Sequence, residues 1–396
     1  MKMSTIYYHI NKNVWYQCEE PNGLFFGKNN TIISYMGSKQ EHSLPFQVKK
    51  ESNIVGPLIG ILAGSSKDNT FFGNVKVLKR ILLSLQDKGA LGIVMTPNSI
   101  QEDSLLCFTF YQPFNKWIKL RTPLPNAVYN RIPYRRMEDS QHFSDIVSFI
   151  KKKRIPFFNP YFFSKWKVYQ YLQGNEFISS FLPETLLLKR KEDLEFMITK
   201  HWDLYLKSSK GCKGIGLYRI TKRNNVYIVE TPKKKQSYPT LTSFWEKNKL
   251  ELMQEDFIIQ KAIPSDTFEG KRYDLRILCH YEKKDHTISG IGVRLSGKSE
   301  ITTHVPNGGT IIPYELVRSR FNESILRQLV KKIGKELMEQ TGAFIGEFSI
   351  DLGRTTDGAI YIYEINSKPM VFDEDHIQDK GIEKLTKLLI MKGTKA

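Results

Sequence analysis

The chain has 396 residues, a formal net charge of +18 and 40% hydrophobic content, so two or three domains with real cores are expected. No run of about 20 uninterrupted apolar residues occurs, which argues against a membrane-spanning helix. The opening MKMSTIYYHINKNVWYQC lacks an apolar signal core and points to a cytoplasmic chain. Cys18, Cys107, Cys212 and Cys279 are far apart and form no metal-type pair, which fits reduced thiols. The excess of positive charge favours polyanionic partners. The short basic runs at 151–154 and 233–235 lack aromatic interleaving, so nucleic acid is not expected.

Residues 1–52 alternate short β-like runs with Asn and Gly turns and read as a small β-rich unit. Residues 53–160 change character. PLIGILAG is a buried-strand run, NVKVLKRILLSLQDKG has helical periodicity ending at Gly89, and ALGIVMTP is the next strand. That order predicts a parallel α/β domain, continued by AVYNRIP, a helix near 143–152 and IPFFNP as the last strand. Residues 161–396 read as α+β, with a lid subdomain at about 180–262. Its expected elements are a helix at 165–172, FLPETLLL, a helix at 191–200, and the strands DLYLKSS, IGLYRI and NVYIVE. A basic loop at 233–240 follows, then the strands DFIIQKAI, YDLRILCH and TISGIGVRLS. The longest amphipathic helix is expected at 320–340, with a hairpin at 344–366 and a last helix at 377–391.

Two segments carry chemistry. YLKSSKGCKGIGLYRI puts Lys207 at a strand end, followed by Gly211, Gly214 and Gly216. Glycines let backbone N–H groups approach phosphate oxygens, and the lysine adds a point charge. No Gly-Lys-Ser/Thr opens a helix, so this is not a Walker loop; a β-hairpin lid fits better, and a plain Gly-rich turn fits as well. Near the C-terminus, GEFSIDLGRTTDGAIYIYEINSKP turns at Gly358. Alternate strand residues share a face, so Glu364 and Asn366 point together and a hairpin brings Asp351 beside them. Two carboxylates and an amide oxygen suit Mg²⁺ shared with nucleotide phosphates; a solvated surface hairpin is the alternative. YDLRILCH also sets Asp274 and Arg276 on one strand face.

Lys207 with KGCKGIG, YDLRILCH and the terminal ID…YEIN resemble the ATP-grasp superfamily in order and spacing. The lid loop is similar to those of glutathione synthetases and ribosomal glutamate ligases. VYNRIPYRR, FFNPYFFSKWKVYQYL, LPETLLL and EINSKP resemble the YheC/YheD family of endospore coat-associated ATP-grasp proteins. The resemblance implies a parallel α/β pre-ATP-grasp-like domain followed by an ATP-grasp fold with a Gly-rich β-hairpin lid. It implies ATP and two Mg²⁺ ions as cofactors. Lys207 and an upstream lysine would hold the phosphates, Lys167 aligning best and Lys165 being the alternative. Gln260, Lys261 and Ile263 in FIIQKAI would meet the adenine. Arg276 would face the γ-phosphate or an acyl phosphate, Arg294 the transferred phosphate, and Asn307 would sit in a ligase-like loop. Asp351, Glu364 and Asn366 would be the metal ligands, Glu364 bridging both ions.

The implied activity is an ADP-forming carboxylate–amine ligase. Its partners would be an amine donor and a carboxylate on an acidic peptide or a spore- or wall-related polymer. An ATP-grasp kinase, or a spore coat-associated binding protein with a vestigial ATP site, are the alternatives. Cys212 lies between Lys210 and Lys213, but this chemistry needs no thiol nucleophile. Two departures bear on loop geometry and substrate identity: Ser208 follows Lys207 where proline is common, and Met370 follows Pro369 where glycine is common.

Overall fold

The computed structural model describes residues 2–68, 70–101, 104–211, 215–224, 226–297 and 308–395. The chain forms two units, Met1–Tyr161 with Asp379–Ala396, and Phe162–Gln378. In the first unit the opening β-like runs close into a barrel. Its strands, in spatial order, are Lys2–His9, Val14–Gln17, Thr31–Tyr35, Leu24–Phe26, Ile54–Val55 and Ser43–Glu51. Alternate residues Ser4, Ile6 and Tyr8 point inward, as a two-residue period requires. Trp15 packs against Tyr8, Phe26 and Phe46. Closure removes the unpaired edges that such short strands would otherwise expose.

The same unit holds a seven-stranded sheet. Leu91–Met95, Leu58–Leu62, Ala127–Asn130 and Phe157–Phe158 run parallel, in that spatial order. Leu58–Leu62 and Leu91–Met95 are buried throughout, as strands covered on both faces must be. The helix Val75–Gln86 buries Val77, Leu78, Ile81, Leu82 and Leu85, and its N-cap Asn74 accepts from Val77 N–H at 3.2 Å. The parallel strands expected of this α/β domain are present, and an antiparallel pair is added at one edge. Ser104–Tyr111 and Lys116–Thr122 form an antiparallel hairpin turned at Asn115, which adopts a left-handed φ of 49°. That hairpin alternates Leu105, Cys107 and Leu120 inward, a half-buried pattern unlike the inner strands.

The second unit contains two antiparallel sheets. The first orders Thr185–Leu188, Phe257–Lys261, Asp203–Ser208, Leu217–Arg223, Val226–Glu230 and Lys235–Tyr238. Leu204, Leu206, Ile220, Val229 and Ile259 line one face, packed with residues of the helices Lys191–His201 and Leu241–Gln254. The loop expected at 233–240 is instead partly strand: Lys235–Tyr238 pairs along Val226–Glu230, and Pro239 lies just beyond it. The opposite face of this sheet carries the row Thr185, Gln260, Tyr205 and Arg219, matched in register across successive strands.

The second sheet orders Thr310–Ile312, Asp285–Leu295, Lys271–Glu282, Glu347–Arg354 and Ile360–Asn366. The helix Glu323–Thr341 buries Leu326, Leu329, Val330, Ile333 and Leu337. It has 19 residues and is not the longest; Asp375–Thr394 has 20. Gly334 lies on its buried stripe. A Cβ there would fall 2.1 Å from His286 Nδ1, and the other ring nitrogen, Nε2, donates to Ile345 O at 2.7 Å. Alanine would gain about 1 kcal/mol of helix propensity. The overlap with a fixed, buried ring outweighs that, so Gly334→Ala is expected to lose about 2 kcal/mol or more, read as a lower urea midpoint at unchanged slope.

Candidate active site

Strand register builds the acidic half of the site. Asp351 lies opposite Glu364, and Ser349 opposite Asn366, with a bulge between Asp351 and Leu352. Opposed residues of an antiparallel pair share a face. On the next strand Arg276 lies opposite Asp351, and Asp274 opposite Arg294. The row that sequence spacing predicts is therefore assembled, with two arginines added to it.

These arginines are held differently. Arg294 forks onto Asp274, with Nε 2.9 Å from Oδ1 and one terminal nitrogen 2.8 Å from Oδ2; that terminal nitrogen is also 3.0 Å from Asp351 Oδ2. Burial works against its charge, but Asp274 and Asp351 outweigh it and hold the guanidinium above its ordinary range. Arg276 donates to Met370 O at 3.1 Å and lies 4.6 Å from the Phe372 ring centre. Desolvation lowers its pKa, while Asp351 pulls the other way. Among the described residues its Nε is buried with no hydrogen-bond partner, and so is Asp351 Oδ1. Unpaired buried polar atoms are costly, and they concentrate where a ligand supplies the missing partner.

The basic half comes from two strand and helix ends. The helix Lys165–Gln173 starts at its N-cap Ser164, whose Oγ lies 2.7 Å from Ser209 Oγ, while Lys165 N–H donates to Ser209 O at 3.0 Å. That pins the helix start to the end of Asp203–Ser208. Lys165 Nζ then reaches Gly211 O at 2.6 Å and Glu364 Oε1 at 3.1 Å. Lys167 is exposed, and its backbone N–H serves the cap at Ser164 Oγ. Of the two upstream candidates, Lys165 is the one brought to the acids.

Lys207 donates to Gln260 Oε1 at 2.6 Å, and Gln260 Nε2 donates to Thr185 Oγ1 at 3.0 Å. Desolvation brings the Lys207 ammonium down to about 8; Glu364 and Asp351 oppose that shift and Lys165 adds to it. Gly211 and Gly216 shape the loop beside it. A Cβ on Gly211 would meet Ile215 O at 2.6 Å, and Gly216 has a φ of +66° with Ser208 Cβ 2.7 Å from the site of a Cβ. Cys212, Lys213, Gly214 and Asn307 lie outside the described residues. Lys261 N–H bonds to Glu184 O at the end of Phe257–Lys261, and Ile263 O, two residues beyond, accepts from Ser265 Oγ.

Sequence spacing misses the partners that register creates, Asp274 for Arg294 and Thr185 for Gln260, and those a loop brings, Met370 O with Phe372 for Arg276. Among the described residues, no group of three or more His, Cys, Asp and Glu could hold a metal ion. Asp351, Glu364 and Asn366 are a lean set of hard oxygens. They fit Mg²⁺ that takes its remaining ligands from phosphate and water, and the unpartnered Asp351 Oδ1 is an oxygen available to it.

The family model for YheC/D-like ATP-grasp matches residues 154–393. The endospore coat-associated protein YheD of Bacillus subtilis (strain 168) is 28% identical over 353 residues, 84% of this chain and 77% of that protein. YheC of the same strain is 25% identical over 297 residues, 70% of this chain and 80% of that one. Among solved structures, D-alanyl-alanine synthetase A from Vibrio cholerae O1 biovar eltor str. N16961 superposes with a TM-score of 0.52 at 12% identity. The match covers 86% of this chain and 98% of that one and shows a shared fold.

Proposed function

The chain belongs to the YheC/D-like ATP-grasp family, and from that membership we propose that it is an ATP- and Mg²⁺-dependent carboxylate–amine ligase. The observation that carries this reading is one pair of facing contacts. Lys165 meets Glu364 at 3.1 Å beside Arg294 on Asp351 at 3.0 Å, and Asp351 Oδ1 is left without a partner. A helix-start lysine and a strand arginine, each meeting a carboxylate of one hairpin, make a site that triphosphate and metal together would occupy.

In this reading a substrate carboxylate oxygen attacks the γ-phosphorus as the bond to the β-bridging oxygen breaks, giving ADP and an acyl phosphate. An amine then attacks the acyl carbon, phosphate leaves, and the amine loses its proton. Lys165 and Lys207 hold phosphate oxygens, and a phosphate beside Lys207 opposes the desolvation that lowers its pKa. Gln260 orients Lys207. Arg276, anchored by Met370 O, offers its unpartnered Nε to the transferred phosphoryl group. Arg294 fixes Asp351 through Oδ2 and leaves the buried Oδ1 for a ligand. Asp351, Glu364 and Asn366 would hold Mg²⁺, which when bound neutralises phosphate charge. The enzyme positions and neutralises; no protein nucleophile is required. The two curated relatives are named as endospore coat-associated, and we place this chain in the same setting as part of the proposal.

The test is a screen of carboxylates with hydroxylamine as the amine. Hydroxamate and ADP in equal amounts are expected. AMP with pyrophosphate would overturn the mechanism, and phosphate retained on the product would make the chain a kinase.

A further inference from the structure

In the first unit, Leu58–Leu62 has Leu91–Met95 on one side and Ala127–Asn130 on the other, all parallel. The chain changes side there, which makes the carboxyl ends of Leu58–Leu62 and Ala127–Asn130 a topological switch point, where open α/β sheets take ligands. Arg131 sits at that point: its backbone N–H donates to Leu62 O at 2.8 Å. Arg135 and Arg136 follow on the short helix Arg135–Glu138. The loop is fixed from below by buried Asn130, which accepts from Ile132 N–H at 3.1 Å and donates to Glu138 Oε1 at 2.9 Å and Pro160 O at 3.2 Å.

Aromatic rings wall the same edge. Phe72 packs on Gly64, where a Cβ would meet the ring at 2.8 Å, and its ring centre lies 5.9 Å from that of Tyr134. Tyr134, the N-cap of the short helix Arg135–Glu138, is 53% exposed. Arg131 lies 5.8 Å from the Tyr129 ring centre and Arg136 5.7 Å from that of Tyr134. After Leu58–Leu62, Phe72 fills the space at Gly64 and Ser66 N–H is already bonded to Thr70 O, so neither Gly64 nor Ser66 offers a backbone cradle for phosphate. Guanidinium groups beside aromatic faces instead match planar carboxylates on a chain with some apolar surface.

The geometry points to this edge as the docking site of an acidic peptide, its carboxylates on Arg131 and Arg136 and its chain against Tyr134 and Phe72. This deepens the ligase reading by giving the carboxylate substrate a class, and it rests on that reading for the claim that the bound peptide is consumed. Docking itself is measured without turnover. Tetraglutamate is titrated into the full chain by calorimetry, and the non-hydrolysable nucleotide AMP-PNP with Mg²⁺ is titrated separately.

Arg131→Gln with Arg136→Gln is expected to weaken tetraglutamate binding about tenfold or more, with AMP-PNP affinity unchanged within about twofold. Lys151→Gln with Lys152→Gln removes the same charge from an exposed helix end and is expected to change neither. Tyr134→Ala, which removes only an exposed ring, is expected to weaken tetraglutamate about threefold and serves if the arginine pair lowers folding yield. Undiminished tetraglutamate binding in the arginine and tyrosine variants, absence of binding to the wild type, or equal loss in the Lys151/Lys152 control would overturn the site. A chain that forms ADP yet fails these tests leaves the ligase reading standing. One that docks the peptide through the arginines but never forms ADP does the reverse.

Discussion

Glu364→Ala is expected to lower turnover by about a thousandfold or more while leaving the fold intact. The loss follows from charge. Glu364 faces Asp351 across the hairpin and is one of the two carboxylates available to a divalent cation in this row. Removing half the negative charge at a metal–phosphate site costs about 4 kcal/mol of transition-state stabilisation, which is that thousandfold. The fold is spared because the side chain is 31% exposed and, among the described residues, its ion pair is with Lys165, a contact worth about 1 kcal/mol or less. The expected readouts are a midpoint of thermal unfolding within a few degrees of wild type and an ADP-release rate near background. An unchanged rate would move the metal site away from this hairpin.

The second large effect separates two lysines only two positions apart. Lys165→Ala is expected to weaken Mg·ATP binding by about ten- to a hundredfold, the worth of one charge-assisted contact to phosphate. It also releases Gly211 O, which Lys165 holds at 2.6 Å, so the Gly-rich loop loses an anchor and KM should rise along with Kd. Lys167→Ala removes an exposed side chain whose backbone N–H alone takes part in the helix cap. Its nucleotide affinity should stay within about twofold of wild type. The reverse ranking would show that the family alignment outweighs the local geometry.

That pair of lysines shows what sequence can and cannot resolve here. SKWKVYQYL identifies a helix start, but a helix turns about 100° per residue, so Lys165 and Lys167 leave it in different directions. Which one faces Glu364 depends on the tie between Ser164 and Ser209, a contact across 45 residues. The hairpin was legible because a two-residue period and one Gly turn fix which side chains share a face. Asp351 opposite Glu364 needs one thing more: the register from Arg354–Ile360 alone would set Asp351 opposite Tyr363, and the bulge between Asp351 and Leu352 shifts it onto Glu364. The arginines were legible as individuals but not as partners: Arg294 forks Asp274 only because two long strands pair in one register, and nothing local specifies it. The barrel of residues 2–55 was legible as strands but not as a closed sheet, since closure depends on pairings such as Phe25 with Ile54. Lys235–Tyr238 was hidden by its basic composition; pairing with Val226–Glu230, including Lys235 on Glu230 at 2.5 Å, overrides it.

The most direct test of the account is the Mg²⁺ dependence of nucleotide binding. AMP-PNP is titrated into wild type and Glu364→Ala by calorimetry, with Mg²⁺ and with the metal chelated. The account predicts wild-type binding tightened by Mg²⁺ about tenfold or more, and little or no such tightening in Glu364→Ala. No binding of the wild type at millimolar nucleotide, or the same Mg²⁺ enhancement in both proteins, would contradict it.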